Sequence, residues 1–301
     1  MQKQRVTFST FKELTRLEMT LFGLPFTFAG ALLPFANYKF FEGFTGISWF
    51  RFLWIVPAFL AARLSGMVFN QVIDWEIDAK NVRTRGRPIP SGRATPKQAK
   101  VIAWSCLVLF IVICSQINPL CFGLSFVAAF LLFAYSYTKR FNALCHFVLG
   151  LIHFLAPVMA AAAISGRLNV PAILLGIGAM LSIAANDMVW GVQDFRFDVE
   201  QKLFSIPAKF GISNALAIAR VCHAGMIICV ALICVRASFP LFCVLTPLIL
   251  AVVYLNFHRK VVAIIQKGEL EKIAPLFFSC NVTVPAVTLF FIVIGVLWSH
   301  G

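Results

Sequence analysis

The chain has 301 residues, of which 60% are hydrophobic and only 13% charged, with a formal net charge of +14. A soluble domain is about one quarter charged, so this composition excludes an ordinary soluble fold and points to a polytopic helical membrane protein. The positive charge is divided among short segments between apolar runs, which argues against a nucleic-acid-binding surface.

Nine apolar runs follow one another, near 18–36, 48–71, 98–116, 119–137, 142–163, 170–192, 211–235, 238–257 and 274–298. Each approaches the ~20 residues that a helix rising 1.5 Å per residue needs to cross the hydrocarbon core. Lys139 and Arg140 divide the fourth run from the fifth. Residues 1–17 read as a short lead-in and not as a signal peptide, because charges reach Glu18 and the first run opens onto more membrane. With nine spans, the N-terminus and the loops after even-numbered spans share one side. That side carries Lys3, Arg5, Lys12, Arg16, seven basic residues from Lys80 to Lys100, and nine more, from Lys139 and Arg140 through Arg196, Lys202, Lys209, Arg259 and Lys260 to Lys267 and Lys272. The other side has Lys39, Arg51, Arg167 and Arg236. The positive-inside rule makes the crowded side, and with it the N-terminus, cytoplasmic.

The nine cysteines lie in or beside apolar runs without a CxxC pair and read as small hydrophobes. The five histidines, His146, His153, His223, His258 and His300, fall in no ligand motif and are expected to be structural.

Carboxylates are distributed unevenly. Seven of the twelve are Asp74, Glu76, Asp78, Asp187, Asp194, Asp198 and Glu200, in two short windows at the cytoplasmic ends of the second and sixth runs. Asn70, Asp74 and Asp78 are spaced by four and share one helical face, as do Asp194 and Asp198; Asp187 precedes Asp194 by seven. Glu76 and Glu200 fall off these faces and read as solvated. Like charges at i, i+4 repel, and a charge near the bilayer centre costs ~2.5–3.5 kcal/mol, less at the rim. Hard cations offset both penalties. Mg²⁺ takes oxygen ligands and is commonly held by one or two carboxylates plus substrate phosphates. Two acidic faces could hold two such ions with a diphosphate between them. Arg83, Arg85, Arg87 and Arg93 follow the first cluster and Lys202 and Lys209 the second, supplying the forks and point charges that phosphate oxygens take. Arg63 lies inside the second run, seven residues before Asn70; an intramembrane arginine should face a cavity or a partner. Some 22 Å along the axis from Asp78, it is expected to stay out of any metal site and to meet an acceptor's carboxylate or a buried hydrogen-bond partner. Arg220 in the seventh run has no motif around it and can snorkel.

A weak internal echo accompanies the acids. IPSGRATPKQA (89–99) follows the first cluster and IPAKFGISNA (206–215) the second, each with Ile-Pro, a small residue and a helix start. The spacing is that of a duplicated four-helix unit within one transmembrane domain, 1–301.

These residues resemble the UbiA superfamily of intramembrane prenyltransferases. The family pattern N-D-x-x-D-x-x-x-D followed by R-x-x-R-P-x-P-S-G is matched by Asn70, Asp74, Asp78, Arg83, Arg87, Pro88, Pro90, Ser91 and Gly92, and the second pattern, D-x-x-x-D, by Asp194 and Asp198. YSYTKRFNALCHFVLG (135–150), with Tyr137, Lys139 and Arg140, is similar to the family's segment between spans four and five, and TLFGLPFTFAGALL in the first run and Asn281 in the ninth fit as well. Gln71 departs from the pattern where many members have Asp, which bears on the first metal shell. The resemblance implies an all-α, nine-helix bundle around a lipid-accessible chamber. Asn70, Asp74, Asp78, Asp194 and Asp198 would hold Mg²⁺. Arg83, Arg87, Arg63, Tyr137, Lys139, Arg140, Asp187, Lys202 and Asn281 would bind or balance the substrates. The implied reaction moves a polyprenyl chain from its diphosphate to an aromatic acid, in the bacterial inner membrane. The wording is nearest to 4-hydroxybenzoate polyprenyltransferases of ubiquinone biosynthesis; a dihydroxynaphthoate acceptor of menaquinone biosynthesis and haem farnesylation are related alternatives. A cation-coupled transporter would place its acids near the midplane on broken helices, and a Mg²⁺-dependent lipid phosphatase would consume a prenyl diphosphate without an acceptor.

Overall fold

The computed structural model describes residues 6–36 and 49–299; Lys3, Arg5, Lys39 and His300 lie outside them. The helices are α1 (Phe8–Thr15), α2 (Leu17–Thr20), α3 (Leu24–Leu32), α4 (Trp49–Ile73), α5 (Trp75–Lys80), α6 (Pro96–Ile117), α7 (Pro119–Thr138), α8 (Cys145–Ser165), α9 (Val170–Gly191), α10 (Phe195–Glu200), α11 (Ile206–Arg236), α12 (Leu245–Lys267) and α13 (Ile273–Trp298). No strand occurs among the described residues, and nine helical segments there are long and apolar enough to cross a membrane. Exposed apolar side chains such as Val101, Trp104, Val108 and Val112, spaced by three or four along α6, form the outward face that a lipid-embedded bundle requires.

Local chemistry explains the boundaries. Thr95 caps α6 in a reciprocal capping box with Gln98, and Pro96 takes the first helical position. A single extended residue, Asn118, separates α6 from α7; its side chain caps Cys121 N and its amide donates to Ala162 O across the bundle. Two runs differ from the expected limits. The seventh helix starts at Ile206 and not at 211, because Ser205 caps it and Pro207 suits its first turn. Gly211, at φ 81°, then breaks the helical path, and the apolar periodicity restarts there. The eighth helix is Leu245–Lys267, displaced from 238–257. Arg259 and Lys260 stay helical and exposed, and the helix ends only at Gly268, in the left-handed region at φ 73°.

In the bundle, α4 packs mainly on α6 and α7, and α9 between α8 and α11; α3 bridges α8 and α13, while α12 lies between α11 and α13. Close approach uses small residues: a Cβ on Gly30 would sit 2.3 Å from Pro157 O, so α3 and α8 meet backbone to backbone.

The two acid-bearing ends share a backbone device. Asp74 sits at φ −95°, ψ 3° before the six-residue α5; Asp194 sits at φ −97°, ψ 3° before the six-residue α10. In the first, Asp74 N still bonds Asn70 O (3.0 Å) and Asp78 N bonds Asp74 O (2.8 Å), so the four-residue spacing survives the bend. The Ile-Pro echo is less regular than the sequence implies. Ile206–Pro207 opens α11 itself, whereas Ile89–Pro90 lies in a turn ahead of α6; what recurs is a positive-φ glycine beyond each, Gly92 and Gly211.

Candidate active site

The ends of α4 and α9, with the segments that follow them, face one cavity of about 280 Å³. Its wall includes Asn70, Asp74, Asp78, Arg83, Arg87, Lys139, Asp187, Asp194, Asp198, Arg63 and Asn281. The two helices do not meet along a main packing face; the loop after α5 closes the gap. Asn81 Nδ2 donates to Asp194 Oδ1 (3.0 Å), and Arg83 grips Asp194 with both Nε and Nη2. Arg83 also lies over the Trp190 ring, 5.4 Å from its centroid.

Each acid has its own setting. Asp74 is 1% exposed. Asn70 Nδ2 donates to its Oδ2 at 2.9 Å, Lys139 Nζ lies 2.9 Å from the same oxygen, and Arg140 Nη2 is 3.6 Å from Oδ1. Burial raises this carboxyl above the usual range, opposed chiefly by Lys139. Arg87 Nη1 donates to Asp78 Oδ2 at 2.6 Å. Asp187 Oδ2 meets His146 Nδ1 at 2.7 Å, and His146 Nε2 accepts from Ile206 N (3.4 Å), which leaves the ring proton on Nδ1 to be donated to Asp187. Asp198 lines the cavity with no Lys or Arg at ion-pair distance among the described residues.

Several expected site residues lie elsewhere. Tyr137 is outside the cavity, packed on Phe133 and beneath Arg140; Tyr135 takes its place in the wall. The reason is helical phase, since Tyr135 shares a face with Lys139 and Tyr137 with Phe133. Arg140 also lies outside the lining and caps the end of α4 through Ile73 O. Lys202, at φ 54° in the turn after α10, is exposed and outside the cavity lining, although its neighbour Leu203 is part of it. Arg85, Glu76, Glu200 and Arg220 are exposed. Asn281 reaches the wall with both ends engaged: Oδ1 accepts from Asn186 Nδ2 (3.1 Å) and Nδ2 donates to Phe277 O (2.9 Å). His146 and His153, expected to be structural, line the cavity. No motif announces His146, because its partner Asp187 is 41 residues away.

Gln71 is 2% exposed, and its Nε2 donates to Glu13 O (3.1 Å) and Leu14 O (2.7 Å) at the end of α1. Its Oε1 and Asp74 Oδ1 are buried oxygens without a hydrogen-bond donor, both on residues of the cavity wall. Such oxygens fit a hard cation. No three His, Cys, Asp or Glu side chains form a ready cage among the described residues, and Mg²⁺ needs none when waters and substrate phosphates complete its shell. Beyond Arg63 and His153, both shared walls, a second cavity of about 90 Å³ is lined almost wholly by apolar side chains such as Ile55, Phe59, Leu132 and Met159.

The UbiA prenyltransferase family model matches residues 24–282. A 4-hydroxybenzoate octaprenyltransferase of Methylobacillus flagellatus is 32% identical over 182 residues, 60% of this chain and 61% of that protein; one of Thiobacillus denitrificans is 32% identical over 174 residues, 58% and 59%. The matched segments thus span about three fifths of these curated relatives' length. In fold, the chain is similar to the apo structure of a UbiA homologue from Aeropyrum pernix K1, with TM-score 0.78 and 22% identity over 92% of this chain and 98% of that one. It is also similar to a UbiA homologue from Archaeoglobus fulgidus bound to DMAPP and Mg²⁺, with TM-score 0.66 and 18% identity over 92% and 99%. With its model matched over most of the sequence, the chain belongs to the UbiA prenyltransferase family.

Proposed function

We propose that this chain transfers a polyprenyl chain from its diphosphate to an aromatic carboxylic acid of the 4-hydroxybenzoate type, in respiratory quinone biosynthesis. The observation that carries the reading is the joining of both acidic ends, their arginines and an apolar recess around one cavity. A diphosphate binds at the cytoplasmic end, where Arg83 and Arg87 turn from Asp194 and Asp78 to phosphate oxygens. Asn70, Asp74, Asp78, Asp194 and Asp198 hold Mg²⁺, which when bound neutralises the charge gathering on the leaving diphosphate. Lys139 adds a fixed positive charge there. The allylic C–O bond breaks with its electron pair going to the diphosphate, and a ring carbon of the acceptor forms the new C–C bond. The ring proton leaves to a carboxylate of the cavity, for which Asp187, held by His146, is our candidate. Apolar walls exclude water that would capture the allylic cation. Arg63, between polar and apolar spaces, takes the acceptor's carboxylate.

The family membership and the related octaprenyltransferases support this reading, as do the DMAPP and Mg²⁺ of the Archaeoglobus homologue. The nine apolar helices and the basic loops support an inner-membrane protein with a cytoplasmic N-terminus. Purified protein, Mg²⁺, a labelled polyprenyl diphosphate and a panel of aromatic acids test it, with products identified by mass spectrometry. Prenylated 4-hydroxybenzoate is expected. Product from a dihydroxynaphthoate alone moves the assignment to menaquinone biosynthesis, and release of diphosphate without any prenylated acid overturns it.

A further inference from the structure

The wall shared by the two cavities carries two polar side chains of opposite hydrogen-bonding character. Arg63 on α4 and His153 on α8 line both spaces, and both are half-buried. Arg63 lies seven residues deeper than Asn70, and His153 seven residues deeper than His146. Each therefore sits two helical turns, ~10 Å, below a polar wall residue of its own helix. Cys145, His146, Leu149 and His153 recur at helical spacing and keep one face of α8 on the main cavity.

What these side chains already touch fixes what they can still bind. His153 Nδ1 lies 3.0 Å from Leu149 O, a carbonyl that can only accept. The proton of the neutral ring is therefore on Nδ1, and Nε2 is an acceptor. No other hydrogen bond reaches this ring among the described residues. None reaches the Arg63 guanidinium there either, and that group has donors only. Polar side chains inside a membrane bundle face partners or ligands. One acceptor and one set of donors on the same wall match a molecule with an O–H at one end and an anionic acceptor at the other. A hydroxylated aromatic acid has this pattern. An ionised carboxylic acid without a hydroxyl meets Arg63 but offers Nε2 nothing. Phe59 and Ile152, in the adjoining apolar recess, suit the ring.

We propose that His153 reads the hydroxyl of the aromatic acceptor, its Nε2 accepting the O–H hydrogen bond while Arg63 takes the carboxylate; this rests on the aromatic prenyl-transfer reading above. The bond also serves the chemistry. It raises electron density on the hydroxyl oxygen and, through the ring, on the ortho and para carbons. In a 4-hydroxy acid the para carbon bears the carboxylate, so an ortho carbon attacks the allylic cation. The hydroxyl keeps its proton, and the proton lost is the one on the attacking ring carbon.

The test uses the full chain in nanodiscs, with 4-hydroxybenzoate and benzoate as probes, their Kd values read by calorimetry without prenyl diphosphate. Wild-type protein should prefer 4-hydroxybenzoate about tenfold or more. His153→Phe keeps a ring and removes the acceptor. It should weaken 4-hydroxybenzoate binding about tenfold, leave benzoate within about twofold, and leave KM for the prenyl diphosphate unchanged. His153→Leu, which is too small to crowd the junction, should give the same ratio of affinities. His153→Gln, whose amide oxygen can accept, should recover part of the preference. Arg63→Ala should weaken both acids alike. Equal wild-type affinities for the two acids overturn the proposal, as does an undiminished preference in His153→Phe and His153→Leu. Loss of both acids together in those two variants makes His153 structural and overturns it as well. Wild-type protein that forms prenylated acid without any preference for the hydroxyl sinks this proposal alone. Wild-type protein that shows the preference through His153 but prenylates no acid overturns the function above and leaves this site standing.

Discussion

The two acidic ends have the same backbone turn and opposite electrostatic settings. At the end of α4, each aspartate is met by a cation: Asp74 by Lys139 and Arg140 from beyond α7, Asp78 by Arg87 from the loop after α5. At the end of α9, Asp194 borrows Arg83 from the loop of the first half, and Asp198 has no cationic neighbour at ion-pair distance among the described residues. The first end is neutralised from within its own half of the chain, and the second is completed by the first. Identical spacing in sequence therefore does not mean identical surroundings: one end is built as a paired network, and the other leaves Asp198 without a cation at ion-pair distance among the described residues.

Breaking this comparison at its strongest point should give the largest effects. Asp74→Asn removes a proposed Mg²⁺ ligand and also leaves Lys139 and Arg140 facing a neutral amide. It should lower turnover at least ~100-fold and destabilise the fold by ~1–2 kcal/mol, because two partly exposed cations lose their partner while the burial cost of the carboxylate is relieved. Asp198→Asn should lose similar activity, yet change stability by less than ~1 kcal/mol because no cation depends on it. Turnover and thermal midpoints on both variants check the contrast. Equal stability losses would dissolve the distinction between a paired end and an open one.

The arginines sharpen it next. Arg83 joins the halves through Asp194 and Trp190, Arg87 stays within the first half on Asp78, and Arg85 is exposed. Arg83→Ala should raise KM for the prenyl diphosphate ~10- to 100-fold and Arg87→Ala comparably, while Arg85→Ala should stay within about twofold. Wild-type kinetics in the first two would reduce them to topological charges.

These contrasts also show what the sequence could carry. The nine spans were legible because ~20-residue apolar runs are forced by bilayer thickness. The acids were legible because a period of four puts Asn70, Asp74 and Asp78 on one face, and that period outlasts the bend at Asp74. The rest escapes the sequence for three reasons. Tyr137 is misplaced by two residues, about 200° of helical phase, which a motif string does not encode. His146 escapes because it enters the cavity wall through tertiary placement, with its partner 41 residues away. The limits of the eighth helix were misjudged because basic residues that snorkel look like the end of a span.

A smaller effect is expected at the junction of polar and apolar spaces. Arg63 lines both cavities. Arg63→Ala should leave the Mg²⁺ requirement unchanged and raise KM for the aromatic acid ~10-fold, the loss of one charged hydrogen-bonding partner. Mg²⁺ titrations with the acceptor varied in parallel measure this. A raised Mg²⁺ requirement at constant acceptor affinity would assign Arg63 to the metal end instead.

The smallest effect lies where the first half is clamped from outside. Glu13 on α1 and Arg93 beyond the basic loop face each other with both carboxylate oxygens engaged, and both side chains about two fifths exposed. Hydrogen bonding from Arg93 is the main reason the Glu13 carboxyl lies below the usual glutamate range. A carboxyl depressed in the folded state contributes stability above its unfolded value, near pH 4.3 or so, and loses it as pH falls through the folded value. Solvent screening at this exposure limits the contribution to ~1 kcal/mol or less. Glu13→Gln should therefore lower the thermal midpoint by no more than a few degrees at neutral pH, make no difference once the pH is below the folded value, and matter less at high salt. Among the described residues no ion pair ties the second acidic end to α1, so the same substitution should leave the behaviour of Asp198→Asn unchanged. Midpoints of the single and double variants across pH 3–7, at low and high salt, measure the coupling. A coupling as large as that of a buried pair would mean that α1 braces both ends of the site and not the first alone.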